Sequence, residues 1–286
     1  MNHIDNENLA ETLAREMKQP HEVLEDAADC IRRVALPPGW TLVEKDDEKF
    51  FDQPRRKTAR VRLLDTDSFS DYVTRHGSEG GTTVWCQADY KGGQVNFCAI
   101  LNDHGTVMDA AQWRDHRAVY QPVFSEEWAR WTGSNKKPFS QAEFAAFIED
   151  NLKDITSAPG TDSPTGAQML EMAISFEANQ DMKFKSAIRL QNGGVQMSFS
   201  QDDDAQTIQK MQCFDRFAIG LPVFWNGDGY LIEARLRYRV RDGKLSFWFE
   251  LIRQDKTLEA ATKTTIESIR SKTKVPFFFG DPFVSA

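Results

Sequence analysis

Four arginines alternate with other residues in the segment ARLRYRVR, at Arg235, Arg237, Arg239 and Arg241. The planar guanidinium group presents several N–H donors and binds phosphate and carboxylate oxygens in pairs. Trp248 follows in the same stretch, and an indole ring is a surface on which nucleic-acid bases stack. Arginines beside an aromatic ring therefore predict a surface that binds single-stranded nucleic acid or another polyanion.

The dipeptide Asp242-Gly243 predicts how these residues are arranged, because it is typical of a two-residue hairpin turn. The turn places Arg241 opposite Lys244, which joins the candidate surface. One face of the hairpin then pairs Val240 with Leu245, Tyr238 with Phe247 and Leu236 with Phe249. The other face pairs Arg239 with Ser246, Arg237 with Trp248 and Arg235 with Glu250. We expect the apolar face to pack on a core and the arginines to point away from it.

The same pattern allows two further interpretations of the arginines. They can form a solvated face that discourages edge pairing, with Arg237 stacked on Trp248 and Arg235 paired with Glu250. They can also dock onto an acidic surface of a second subunit and serve assembly of a homo-oligomer. Nucleic-acid binding predicts an affinity that falls steeply with salt, whereas assembly predicts that substituting the arginines changes the oligomer.

Asp103, His104, Asp115 and His116 are the residues whose types could bind a metal ion. Two histidines with two carboxylates suit a divalent transition metal, and such a site would make the protein a metal-dependent hydrolase. Their spacing matches no motif whose mechanism fixes it, and strand ends often carry Asp and His as turn residues. The metal site is therefore the weaker hypothesis.

The sequence contains no GxSxG, HExxH, P-loop or dinucleotide-binding motif. These motifs supply the nucleophile, the metal ligands or the phosphate cradle of large enzyme classes. We therefore predict no catalytic residue and no cofactor, and a non-enzymatic function is favoured.

The chain of 286 residues has a formal net charge of -8. Non-specific coating of duplex DNA depends on neutralising phosphates, so the negative net charge argues against this class of function, although it does not exclude a local basic surface. The acidity is concentrated in residues 1–30, where Arg15 and Lys18 are the only basic residues apart from histidine. No membrane span and no secretory signal is recognisable, so we expect a cytoplasmic protein without membrane contact.

Local patterns predict both helices and hairpins. Apolar residues at helical spacing predict an amphipathic helix over 20–34, within an acidic helical arm at 1–35. Ser140 and Glu143 form a capping box that starts a helix at 141–154. Further helices are predicted at 68–76, 167–178 and 257–271, and further hairpins at Gly92-Gly93 and Asn192-Gly193.

These elements indicate an α+β fold, in which antiparallel β-hairpins form one or two sheets and helices pack on one face of each sheet. The turn-rich segment 156–166 separates an α+β lobe at 36–155 from a second lobe at 165–286, which carries the arginine-rich hairpin. The alternative is that the two lobes form a single domain.

The cysteines Cys30, Cys86, Cys98 and Cys213 include no CxxC pair, so no zinc site is predicted. In the hairpin at Gly92-Gly93, Cys86 is expected opposite Ala99 and Cys98 opposite Gln87. The two thiols then point to different faces and cannot form a disulfide.

Several segments of the chain resemble one family. The segments are WRDHRAVYQPVFSEEWARWTG, FSQAEFAAFIEDNLKDI, RLQNGGVQMSF, ARLRYRVRDGKLSFWFEL and FFFGDPF. Together they resemble the YfdQ-like family of bacterial prophage and phage proteins, a domain of unknown function. The resemblance implies a phage-derived cytoplasmic protein encoded among genes that handle DNA, and it supplies no catalytic residues.

The combined hypothesis is a non-enzymatic phage or prophage accessory protein that forms a homo-oligomer and binds nucleic acid or another polyanion through the arginine-rich hairpin. A purely structural assembly protein and a metal-dependent hydrolase are the alternatives.

Overall fold

The structure, a computed structural model, describes most of the chain. The described residues are 21–26, 31–36, 39, 41, 48–105, 110–157, 163–177, 183–189, 195–200, 209–241 and 244–283. Where these ranges include residues 21–35, 176–177, 183–200, 209–213, 240–241 and 244, only the backbone is described. The chain divides into two compact units, Met1–Lys57 and Thr58–Ala286. The predicted boundary at 156–166 lies within the second unit.

In the first unit, a β-hairpin stands where a helix over 20–34 was predicted. β1 (His21–Asp26) and β2 (Ile31–Ala35) pair antiparallel, with Asp26 opposite Ile31. The helix prediction is wrong because so short a run of apolar residues fits either spacing, and the branched side chains of Val23, Ile31 and Val34 favour strands. The other residues of the predicted arm, 1–20 and 27–30, lie outside the described residues.

The second unit contains both helices and strands. Its elements are β3 (Ala59–Leu63), α1 (Thr66–His76), β4 (Thr83–Asp89), β5 (Gln94–Ile100), β6 (His116–Tyr120), α2 (Glu126–Ser134), β7 (Phe139–Ser140), α3 (Gln141–Asp150), β8 (Ile155–Thr156), α4 (Gly166–Glu177), β9 (Lys183–Arg189), β10 (Val195–Ser200), β11 (Gln209–Cys213), β12 (Arg216–Pro222), β13 (Gly229–Arg241), β14 (Lys244–Leu251), α5 (Gln254–Thr273) and β15 (Phe277–Phe279). The predicted α+β class is confirmed. No helix among the described residues is both long enough and apolar enough to cross a bilayer.

The first sheet has five strands in the order β15-β4-β5-β6-β3. The three inner strands are antiparallel, whereas β15 and β3 run parallel to their neighbours at the two edges. One face of the sheet is apolar and packs on α1, where the ring of Phe69 lies 6.4 Å from that of Phe97, centre to centre. α5 lies beside α1, and Lys272 Nζ is 2.6 Å from Asp67 Oδ1.

The second sheet has five antiparallel strands in the order β7-β14-β13-β12-β8. Its apolar face packs on α2 and α3. Trp131 of α2 is fully buried and lies 5.1 Å from the ring of Phe249, and Phe144 of α3 lies 5.1 Å from the ring of Phe247. The capping box at the start of α3 is confirmed, because the Ser140 and Glu143 side chains each bond to the other's backbone N–H.

The hairpin of β4 and β5 forms as predicted, but its register is shifted by two residues. Cys86 lies opposite Phe97 and Cys98 opposite Trp85, so the turn has four residues instead of two. The longer turn arises because the Asp89 carboxylate accepts the N–H groups of Lys91 and Gly92, at 3.1 and 3.0 Å. A shift of two keeps every side chain on its face, and both thiols are free as predicted.

A third sheet has the order β11-β10-β9. Its hairpin of β9 and β10 is confirmed, but Ile188 pairs with Gln196, whereas a two-residue turn at Asn192-Gly193 places Ile188 opposite Met197. The predicted turn at Asn192-Gly193 lies outside the described residues, so only the register of the strands is known.

Candidate nucleic-acid interface

The arginine-rich hairpin consists of β13 and β14, and its register is the one that Asp242-Gly243 predicts. The strand pairs are Arg235 with Glu250, Arg237 with Trp248, Arg239 with Ser246 and Arg241 with Lys244. The turn residues lie outside the described residues, as do the side chains of Arg241 and Lys244. The predicted pairing is confirmed throughout the ladder.

The apolar face of the hairpin is a central part of the core. Leu236, Phe247 and Phe249 are 3%, 0% and 0% exposed. The Phe249 ring lies 5.1 Å from Trp131 and 5.7 Å from Phe147. Burial of these rings fixes the orientation of the hairpin, because any slip by one residue would place the arginines in the core.

The opposite face carries the arginines, and their contacts run diagonally across the two strands. The Arg239 guanidinium lies 5.5 Å from the centre of the Trp248 ring, and Arg237 Nε lies 3.5 Å from Glu250 Oε2. These diagonal contacts replace the direct cross-strand contacts that the sequence allows, Arg237 with Trp248 and Arg235 with Glu250. The diagonal arises because the strands twist and long side chains reach neighbours two positions along.

Arg235 is exposed, and its side chain has neither an ion pair nor a hydrogen bond with any described residue. Arg216 of β12 lies opposite it and extends the basic face onto a third strand. Arg216 Nη1 is 3.5 Å from Glu233 Oε2, and both side chains are about half exposed. Four arginines therefore share the described part of this face with two glutamates, so it is net positive within an acidic chain. We call this side of the sheet, with its four arginines, its two glutamates and Trp248, the arginine face.

The ion pairs on this face do not prevent the arginines from binding a ligand. Exposed pairs contribute only about 0–1 kcal/mol, because solvent screens them and ordering two long side chains opposes them. A phosphate offers the guanidinium a paired hydrogen-bond geometry in addition to its charge. Arg237 and Arg216 can therefore replace their ion pairs with phosphate contacts at a small cost in free energy.

The metal-ligand candidates do not converge on one point. Asp103 is buried, accepts a hydrogen bond from the Thr83 hydroxyl at 2.5 Å, and has Arg114 Nε 2.9 Å from its other oxygen. His104 lies beside it, with Nε2 3.5 Å from Asp103 Oδ2.

The other two candidates have different partners. His116 is buried with its Nε2 3.1 Å from the Tyr72 hydroxyl, and Asp115 accepts a hydrogen bond from the Asn102 amide at 2.7 Å. In the part of the chain that the structure describes, no three His, Cys, Asp or Glu side chains form a group that could hold a metal ion. The structure therefore brings Asp103 and His104 together without the other two.

A cleft of about 460 Å³ between α1, α5 and the loop at 224–228 was not expected from the sequence. Its lining includes Asp65, Asp67, Asp228 and Trp225, and no lysine or arginine. Its carboxylates would repel phosphate, so the cleft does not suit the ligand that suits the arginine face. No sequence pattern predicts the cleft, because its lining comes from segments far apart in the chain.

Comparison with curated proteins and with solved structures found no match. A model of one protein family matches residues 5–282, and that family is described as "Uncharacterized conserved protein (DUF2303)". Because the match covers nearly the whole chain, the protein belongs to this uncharacterised conserved family.

Proposed function

We propose that the protein binds single-stranded nucleic acid on the arginine face. Arg235, Arg237 and Arg239 contact the phosphates, and Trp248 stacks on a base. Arg241 and Lys244 continue the same row towards the turn. The observation that supports the proposal most directly is the exposed, unpaired Arg235 in line with the Arg239–Trp248 contact.

A single strand fits this face better than a duplex does. The face is part of a sheet, which presents a broad surface to splayed bases, and stacking on an aromatic ring contributes about 1–3 kcal/mol per base. The bases of a duplex are already stacked and paired, so Trp248 could not contact their faces. The net charge of -8 opposes long-range attraction of any nucleic acid, so binding depends on the local basic face, which acts at short range.

The proposal includes a phage or prophage origin, a cytoplasmic location and a homo-oligomeric, non-enzymatic role. The resemblance to the YfdQ-like family supports the origin, and the arginine face supports the role. If the arginines instead form a subunit interface, the protein is a structural assembly protein, and the test below separates the two functions.

The test is fluorescence anisotropy of a labelled single-stranded oligonucleotide, titrated with the wild type and with R237E/R239E at several salt concentrations. We expect wild-type affinity to fall with salt and the variant to bind at least about tenfold more weakly, because two phosphate contacts are replaced by repulsion. K256E/K263E on α5 is the matched control, since it reverses the same number of charges on exposed side chains elsewhere.

Light scattering of the same samples checks the alternative. A change in oligomer size in R237E/R239E, without any nucleic-acid binding by the wild type, would replace the proposal with structural assembly. Unchanged affinity and unchanged oligomer size would refute both functions for this face.

A further inference from the structure

The first sheet also has a face turned away from its helices, and arginines and aromatic rings gather on it. Across the five strands, one row of this face reads Phe278, Trp85, Cys98, Val119 and Arg62. The next row places Arg117 opposite Arg60. At one end of the first row, the rings of Phe278 and Trp85 lie 5.0 Å apart, centre to centre. At the other end, Arg62 carries a positive charge.

Arg114 and Arg117 converge on one ring beside these rows. The guanidinium of Arg117 lies 3.9 Å and that of Arg114 5.4 Å from the centre of the Phe283 ring. Arg114 adopts a left-handed backbone with φ 56°, a conformation that costs energy for a residue other than glycine. Its side chain is held by Asp103 and by the Pro282 carbonyl, which lies 3.4 Å from Nη2.

The remaining arginines lack acidic partners. Arg60 and Arg62 are exposed, and the Arg62 side chain donates a hydrogen bond to the Gln121 amide oxygen at 3.3 Å. Among the described residues, no carboxylate forms an ion pair with Arg60, Arg62 or Arg117. Their charge is therefore left uncompensated by direct contacts, as it is for Arg235 on the second sheet.

The pKa of the Cys98 thiol depends on the charges of this surface. Burial raises the pKa of the Cys98 thiol, while Arg117, Arg60 and Arg114 act to lower that pKa. The three guanidinium groups therefore lie close enough to Cys98 to act on it electrostatically. Asp281 is also near, and it acts in the same direction as burial on the Cys98 pKa.

We infer that Arg60, Arg62 and Arg117 form a second contact surface for the phosphate backbone of single-stranded nucleic acid, with Trp85 and Phe278, at the other end of the same face, as the rings for bases. The inference rests on the proposed function and extends it to the first sheet. Charge complementarity selects the partner, because the surface repeats the chemistry of the arginine face. A strand that contacts both surfaces at once would be held more tightly than by either surface alone.

A simpler role for Arg60 and Arg62 is to prevent edge pairing, since β3 is an edge strand. That role and the inference differ in one measurable respect. Edge protection leaves nucleic-acid affinity unchanged when the arginines are replaced by other polar residues, whereas a phosphate contact does not.

The first experiment measures oligonucleotide binding by R60E/R62E and by R60Q/R62Q, with K256E/K263E as the control. The glutamine variant keeps long polar side chains, so it separates loss of charge from loss of fold. We expect R60E/R62E to bind about tenfold more weakly at low salt and to lower the salt slope by about 1.4, because each phosphate contact on a single strand contributes about 0.7. Unchanged affinity in both variants would overturn the inference.

The second experiment uses Cys98 as a footprint. The full-length protein is alkylated with iodoacetamide at alkaline pH, with and without a single-stranded oligonucleotide, and the modified peptides are quantified by mass spectrometry. We expect bound oligonucleotide to slow alkylation of Cys98. Cys86 is the internal control, because it is buried on the other face and burial raises the pKa of its thiol to about 12.

The outcomes distinguish this inference from the proposed function. If R237E/R239E loses binding while R60E/R62E and Cys98 are unaffected, the arginine face stands and the second surface is refuted. If R60E/R62E alone loses binding and Cys98 is protected, the second surface stands and the arginine face is not the site. If the wild type binds no oligonucleotide, both fail.

Discussion

The guanidinium of Arg239 lies 5.5 Å from the centre of the Trp248 ring, although Trp248 is paired with Arg237 across the strands. The twist of the hairpin shifts each arginine contact by two residues along the strand. Arg237 therefore contacts Glu250, and Arg235 contacts no described carboxylate. The displacement leaves Arg239 beside the Trp248 ring of the neighbouring strand, and it leaves Arg235, further along β13, without an ion pair to any described residue.

Replacing Trp248 with alanine should weaken single-stranded nucleic-acid binding by about fivefold to 150-fold, because one stacked base contributes about 1–3 kcal/mol. Fluorescence anisotropy at fixed salt measures the change. W225A is the matched control, since Trp225 is 60% exposed and lines the acidic cleft. Equal effects of the two substitutions would argue against stacking on Trp248.

Replacing Glu250 with glutamine should strengthen nucleic-acid binding. The substitution releases Arg237 from its ion pair and removes a negative charge that repels phosphate. The free energy of unfolding should change by less than about 1 kcal/mol, because both partners are partly exposed to solvent. Anisotropy titration and urea denaturation measure the two quantities, and weaker binding by E250Q would contradict the proposed role of Arg237.

The sequence predicts the hairpin of β13 and β14 well, because Asp242-Gly243 determines its register. A register shifted by one residue would also expose the buried rings of Phe247 and Phe249. It predicts the hairpin of β4 and β5 less well, since the Asp89 side chain lengthens the turn by bonding to Lys91 and Gly92. Turn length depends on such local competition, which a dipeptide rule does not include.

The sequence does not predict that Arg60 lies opposite Arg117. The two residues meet because β3 lies parallel to β6, and a parallel pair needs a long connection between its strands. No local pattern marks which distant strand will be the neighbour. The alternation of arginines in ARVRL was nevertheless a signal, since it repeats the pattern of the arginine-rich hairpin.

Replacing Phe249 with alanine should destabilise the protein by about 3–5 kcal/mol, the usual cost of removing a buried aromatic ring from a core. Phe249 is 0% exposed, and its ring lies near those of Trp131, Phe147 and Phe139. Urea denaturation followed by circular dichroism measures the loss. F249L should cost less, because leucine refills part of the cavity. Equal losses for the two variants would indicate that the site does not depend on packing volume.

The Asp65 cap of α1 should make stability depend on pH. The Asp65 carboxylate accepts the Ser68 backbone N–H at 2.7 Å and the Ser68 hydroxyl at 2.7 Å, and these bonds lower the pKa of Asp65. A carboxyl whose pKa is lower in the folded state stabilises the fold above its unfolded pKa, and this stability is lost as the pH falls through the folded value.

At neutral pH, D65A should therefore lower the free energy of unfolding by about 0.5–2 kcal/mol, as expected for loss of an N-cap. The difference from the wild type should shrink in acid, below the ordinary range of carboxyl pKa values, because the wild-type carboxylate becomes protonated there. D65N is the control, since asparagine caps a helix without titrating, and its difference from D65A should not vary with pH through this site. Urea denaturation at neutral and acidic pH measures all three proteins. A wild-type advantage over D65A that is the same at both pH values would show that the charge of Asp65 does not contribute to the cap.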